Sequence, residues 1–128
     1  MPRMIPMSVQ WLPEVRAVRR PDEDTAVIAM HVSGDIAHFA GHFPGFPILP
    51  GIVQLDWAVR FAEGHLPAFT QRGAFRALEQ VKFQSLVLPG KDLELNLSWS
   101  RDRQRLAFAY AVGDRQCSSG RIAFEPAP

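Results

Sequence analysis

From Ile52 to Glu63 the chain reads Ile-Val-Gln-Leu-Asp-Trp-Ala-Val-Arg-Phe-Ala-Glu, with only Gln54, Asp56, Arg60 and Glu63 interrupting the apolar residues. Wound as a helix, that segment is apolar around most of its circumference and has to be buried on nearly all sides. Pro50 and Gly51 make a sensible start, since a first helical turn leaves its N–H groups unpaired and tolerates a proline. Gly64 is the expected stop. A single helix of this kind calls for a curved sheet wrapped about it, which makes the expected class α+β.

The flanking sequence supplies such a sheet. Val15 to Arg19 reads as a short strand, the Pro-Asp-Glu-Asp cluster at 21–24 as a turn, and 25–33 as a second strand rich in β-formers. After the helix and a loop through Pro67 come four more β-like stretches, about 73–86, 91–101, 105–113 and 115–124. Leu93, Leu95, Leu97 and Trp99 alternate with polar residues, the period of a half-buried strand, and Phe108 and Tyr110 continue the habit. Residues 1–13 read as an irregular N-terminal arm on one domain spanning 1–128.

Composition narrows the classes of function. A formal net charge of +1 gives no overall pull toward nucleic acid or an anionic membrane. The charge is uneven: residues 65–128 hold nine Lys/Arg against six Asp/Glu. Arg101, Arg103 and Arg105 in that half suit either a solvated face or an acidic partner. The lone Cys117 excludes an intramolecular disulfide and a cysteine zinc cluster, in keeping with a reducing cytoplasm. The opening residues lack the apolar core of a signal peptide, and no run approaches the roughly 18 apolar residues of a membrane span.

Chemistry points to the stretch between the second strand and the helix, His38-Phe-Ala-Gly-His42-Phe-Pro-Gly-Phe-Pro-Ile-Leu-Pro-Gly51. His38 and His42 are four apart with Asp35 near, but Gly41 and Pro44 disfavour a regular helix and no third ligand is spaced to complete a metal site. His31 and His65 have no evident partner in the sequence. A loop dense in proline and glycine holds a side chain such as His42 in place. Gly51, opening a helix, offers a backbone N–H backed by the helix dipole, a natural seat for a developing oxyanion. Asp56 on the apolar helix has to be paired, protonated or open to a cavity. These parts suit removal of a proton α to a carbonyl with expulsion of a β-substituent. They equally suit a structural loop beside an Asp56–Arg60 ion pair at i,i+4.

The motif running from His42 to Gly51, with Asp56 on the helix that follows, resembles the signature of the β-hydroxyacyl-acyl-carrier-protein dehydratases, which have the hotdog fold. Val81-Lys-Phe-Gln-Ser-Leu-Val-Leu-Pro-Gly90 followed by Asp92-Leu93 is similar to the family's next hallmark, and order and spacing agree over roughly 14–124. The resemblance implies that His42 is the catalytic base, that Asp56, fourteen positions on, is its partner, and that the Gly51 N–H binds the thioester carbonyl. It implies no cofactor beyond the phosphopantetheine arm of an acidic acyl carrier protein. It also implies a homodimer with shared active sites, and an acyl tunnel for which Phe43, Phe46, Leu55 and Trp57 are candidates. As core residues, those four need no such role. Arg60 stands where these enzymes usually carry Gln, and a cation one turn from Asp56 favours the ionised carboxylate over a proton donor. The wording Gln54-Leu55-Asp56-Trp57-Ala58 is more like the homologues of aryl-polyene and related specialised pathways. A hotdog thioesterase and a non-catalytic acyl-binding module are the competing readings; the spacing of His42 and Asp56 favours dehydration.

Overall fold

The computed structural model describes residues 12–33 and 48–128. Six strands form one antiparallel sheet: β1 (Glu14–Asp22), β2 (Thr25–Val32), β3 (Phe75–Phe83), β4 (Lys91–Ser100), β5 (Arg105–Val112) and β6 (Arg115–Phe124). Their spatial order is β1-β2-β4-β5-β6-β3. Helix α1 (Gly51–His65) lies against one face, followed by a short 3-10 helix, Pro67–Gln71.

Alternation decides which side of the sheet meets the helix. Leu93, Leu95, Leu97 and Trp99 of β4 are buried while their neighbours are exposed. The registers Leu95↔Ile28, Leu97↔Phe108 and Leu106↔Ile122 place apolar partners directly across from them. Side chains paired across an antiparallel ladder share a face, so these strands contribute one continuous apolar layer. Trp57, Ala58 and Ala62 of α1 press into that layer and are fully buried. At the far end of the helix, Phe69 meets Trp99 and Phe124 edge-on at 5.1 and 5.3 Å. The Arg72 guanidinium caps the Phe69 ring at 4.2 Å. Edge-to-face aromatic contacts and a cation over a ring both add to the area buried, and they close the base of the core.

Four expectations from the sequence need correcting. Gly64 does not end α1, which runs on to His65; the Leu66 N–H bonds to the Ala62 carbonyl as the helix stops. The segment after it, expected as a loop, begins with the 3-10 turn that carries Phe69 into the core. And α1 is not buried on nearly all sides within one chain, since Ile52 is 72% exposed. The strand expected over 73–86 is shorter, with a register shift between Glu79 and Lys82 where Gln80 takes a φ of 51°. Of the N-terminal arm, only Leu12 and Pro13 fall among the described residues.

Candidate active site

The start of α1 is built by Pro50. Its φ of −61° and ψ of 148° turn the chain into the helix, and its carbonyl accepts the Val53 and Gln54 N–H groups at 3.1 and 3.2 Å. Among the described residues, the N–H groups of Gly51 and Ile52 have no acceptor. These free donors sit at the positive end of fifteen aligned helical residues. The Phe83 ring lies against Gly51: a Cβ there would fall 2.6 Å from Phe83 Cζ. A larger residue here would have to displace the half-exposed Phe83 ring.

Beneath this turn stands a buried polar cluster. The Ser118 hydroxyl donates to Gln54 Oε1 at 2.7 Å, and Gln54 Nε2 donates to the Leu49 carbonyl at 3.3 Å. The Tyr110 hydroxyl donates to the Gln54 carbonyl at 2.6 Å. Burial, and secondarily the negative charge of Asp56, push the Tyr110 phenol well above its usual range, so it remains a donor. Strands β5 and β6 thus grip the first turn of the helix from inside the core. Sequence reasoning passed over Gln54 and Ser118. The signal was there, in two polar residues at positions whose neighbours point inward.

Asp56 lies on the opposite flank. Ile52, Leu55, Asp56 and Val59 follow the i, i+3, i+4, i+7 spacing of one helix face. With Phe75, Leu78, Ile122 and Phe124 they line an open apolar groove of about 750 Å3. Arg60 Nε donates to Asp56 Oδ2 at 2.7 Å, and both side chains are more than half exposed. The carboxylate is thus paired and open to a cavity at once. Of the tunnel candidates, Leu55 lines the groove, whereas Trp57 is wholly buried in the core. His38, His42, Phe43 and Phe46 lie outside the described residues. Among the described residues no three His, Cys, Asp or Glu side chains group as metal ligands, and no helix is long and apolar enough to cross a membrane.

Comparison with known proteins places this arrangement. The model of the ApeI-like family, described as ApeI dehydratase, matches residues 18–121. The 3-hydroxyacyl-acyl-carrier-protein dehydratase FabZ of Moorella thermoacetica is 33% identical over 118 residues, covering 87% of this chain and 79% of that protein. Among solved structures, the dehydratase heterocomplex ApeI:P from Xenorhabdus doucetiae superposes with a TM-score of 0.81 at 32% identity, over 88% of this chain and 97% of its own. Thioesterase superfamily member 2 of Mus musculus shares the fold alone, with a TM-score of 0.62 at 12% identity over 83% of this chain and 77% of that one. The chain carrying this helix, sheet and groove belongs to the ApeI-like branch of the hotdog-fold 3-hydroxyacyl-acyl-carrier-protein dehydratases.

Proposed function

We propose that this protein removes water from 3-hydroxyacyl groups held as thioesters on the phosphopantetheine arm of an acyl carrier protein, leaving 2-enoyl thioesters. The observation that carries the reading is a Gly51 N–H without an acceptor among the described residues, at the head of a helix whose groove-facing stripe holds one carboxylate, Asp56, among apolar residues. The thioester oxygen accepts from the Gly51 N–H, where the helix dipole stabilises enolate character. His42 takes the α-proton, a role that rests on the resemblance of its motif. The C–O bond at the β-carbon then breaks, the α,β double bond forms, and the hydroxyl leaves as water with a proton from His42 or Asp56. Asp56, held by Arg60, acts mainly to orient the departing water or His42. No cofactor takes part beyond the arm that carries the substrate.

The acyl chain lies along the groove beside Leu55, and a second copy of the chain covers it. Ile52, Phe75 and Leu78 are 72%, 60% and 47% exposed, a contiguous apolar patch of the kind that soluble proteins reserve for a partner or ligand. The Gln54-Leu55-Asp56-Trp57-Ala58 wording and the match to the ApeI-like family favour polyene-type acyl chains over housekeeping lipids. The lone, buried Cys117 suits work in the cytoplasm.

The test is incubation of the purified protein with 3-hydroxyacyl thioesters on carrier protein, followed by mass spectrometry. The acyl group is expected to lose the mass of one water, about 18 units, and to be left intact by His42→Ala. Release of free acid would instead assign the protein to the thioesterases.

A further inference from the structure

Three side chains from three neighbouring strands meet the first turn of α1 in a single row. Ser118 of β6 stands opposite Tyr110 of β5 on one side and opposite Phe83 of β3 on the other. Residues opposite one another in antiparallel ladders share a face and lie about 5 Å apart. All three touch the helix head. The Tyr110 hydroxyl donates to the Gln54 carbonyl at 2.6 Å, the Ser118 hydroxyl donates to Gln54 Oε1 at 2.7 Å, and the Phe83 ring lies against Gly51.

Gln54 joins this row to the segment that enters the helix. Because Ser118 takes its Oε1, its amide nitrogen is the end turned to the Leu49 carbonyl, 3.3 Å away. The Leu49 N–H donates in turn to the Val87 carbonyl at 2.9 Å. Leu49 is thus tied at both its backbone groups, one by Val87 and one by Gln54. The next peptide plane is tied as well, since the Pro50 carbonyl accepts the Val53 and Gln54 N–H groups and so points down the helix. In a planar trans peptide the N–H lies opposite the C=O. The Gly51 N–H therefore points out of the helix head, in a direction set by the bonds to Leu49 and Pro50.

Apolar packing does not supply this aim. Burial is non-directional, whereas a hydrogen bond weakens steeply as its angle closes. A leucine at 54 would fill the core and hold no peptide plane. We infer that Gln54 is a positioning residue: held by Ser118 and Tyr110, it aims the Gly51 N–H at the thioester oxygen. The role rests on the reaction proposed above, in which that oxygen gathers charge as the α-proton leaves. A donor of this kind acts where the oxyanion forms, and misplacement by about 1 Å costs up to about a hundredfold in rate. Its bond strengthens in the transition state, so its loss lowers kcat and leaves KM.

The experiment follows wild type, Gln54→Met and Ser118→Ala on a 3-hydroxyacyl thioester of carrier protein, with Phe69→Leu as a control that loosens the far end of the core. Methionine keeps the length of glutamine, and Ser118→Ala removes a single hydroxyl, so both delete hydrogen bonds at nearly constant volume. In Gln54→Met, kcat is expected to fall about tenfold or more, and in Ser118→Ala about threefold, with KM within about twofold of wild type in each. Phe69→Leu is expected to keep kcat within about twofold. Ser118→Ala carries the test if Gln54→Met does not fold. A second readout needs no turnover: the infrared carbonyl stretch of bound octanoyl-N-acetylcysteamine, labelled at its carbonyl carbon, reports the Gly51 hydrogen bond. It is expected at lower frequency on wild type than in buffer, and to move back toward the buffer value in both variants. Variants that keep wild-type kcat, a rise in KM without a fall in kcat, a loss of kcat that Phe69→Leu shares, or a carbonyl frequency that the variants leave in place would each overturn the role of Gln54. A wild type that lowers the carbonyl frequency, with variants that do not, yet dehydrates nothing would sink the reaction and leave the aiming of the amide standing.

Discussion

Gln54 occupies a place where a helix facing a core would ordinarily carry an aliphatic side chain, and it is 3% exposed. Its amide is kept there by hydrogen bonds to Ser118 and Leu49, while its carbonyl receives Tyr110. Replacing it with leucine leaves the Ser118 hydroxyl and the Leu49 carbonyl without that partner. Gln54→Leu is expected to cost about 1–3 kcal/mol in urea unfolding. Adding Ser118→Ala is expected to recover part of that loss, so that the double variant is more stable than the two single effects summed. Strict additivity would show that the cluster is not a unit. The exposed Arg60–Asp56 pair is worth much less to the fold, about 0–1 kcal/mol, so in the proposed reaction Arg60 serves to orient the carboxylate. That Gly51 opens the helix and that Asp56 pairs with Arg60 was legible in the sequence because each residue breaks a local pattern. The role of Gln54 was not, because its partners Ser118 and Tyr110 lie 64 and 56 residues away and only the folded ladder brings them near.

At the scale of elements, strand β3 is the part least determined by its own residues. The alternation of β4 predicts its bounds to within a residue, since one side of that strand faces core along its whole length. β3 is an edge strand, largely exposed, and its register shifts twice against β6. The 3-10 turn before it was hidden for a related reason: Pro67 reads as a break, and only tertiary packing draws Phe69 inward. Glu79 fastens β3 to its neighbours through Arg105 of β5 and Arg121 of β6. The Arg105 hydrogen bond, with the charges of both arginines, holds this carboxyl below the usual glutamate range. A carboxyl lowered on folding stabilises the native state above its unfolded value, near 4.3, and that contribution fades as pH falls through the folded value. The melting temperature of Glu79→Gln is accordingly expected to fall less than that of wild type between pH 6 and pH 3. Parallel curves for the two proteins would exclude Glu79 as a source of the acid sensitivity.

For the whole molecule, the groove beside α1 is the surface on which the proposed dimer rests. The sequence called for a helix buried nearly all round, and one chain leaves the Ile52–Val59 stripe open. In the proposed dimer a second copy supplies that cover; within one chain the expectation of a helix buried nearly all round is not met. The double variant Phe75→Asp/Leu78→Lys puts charges in the groove wall. It is expected to sediment as a monomer and to lose nearly all turnover, while wild type sediments as a dimer. A monomeric variant with full activity would show that each chain works alone.

The order of the sheet has a consequence in time. β3, which bears Phe83, is held in the sheet by β6, the last of the six strands to be synthesised. Ser118, the hydroxyl beneath the helix head, belongs to that same strand. A nascent chain with α1 and five strands already outside the ribosome therefore still has no finished site. Contacts so distant in sequence form late and slowly. Until β6 closes the sheet, the Gly51 amide and the Asp56 carboxylate belong to a helix without a seat. In the proposed reaction, the fold and the capacity for chemistry both depend on that last strand.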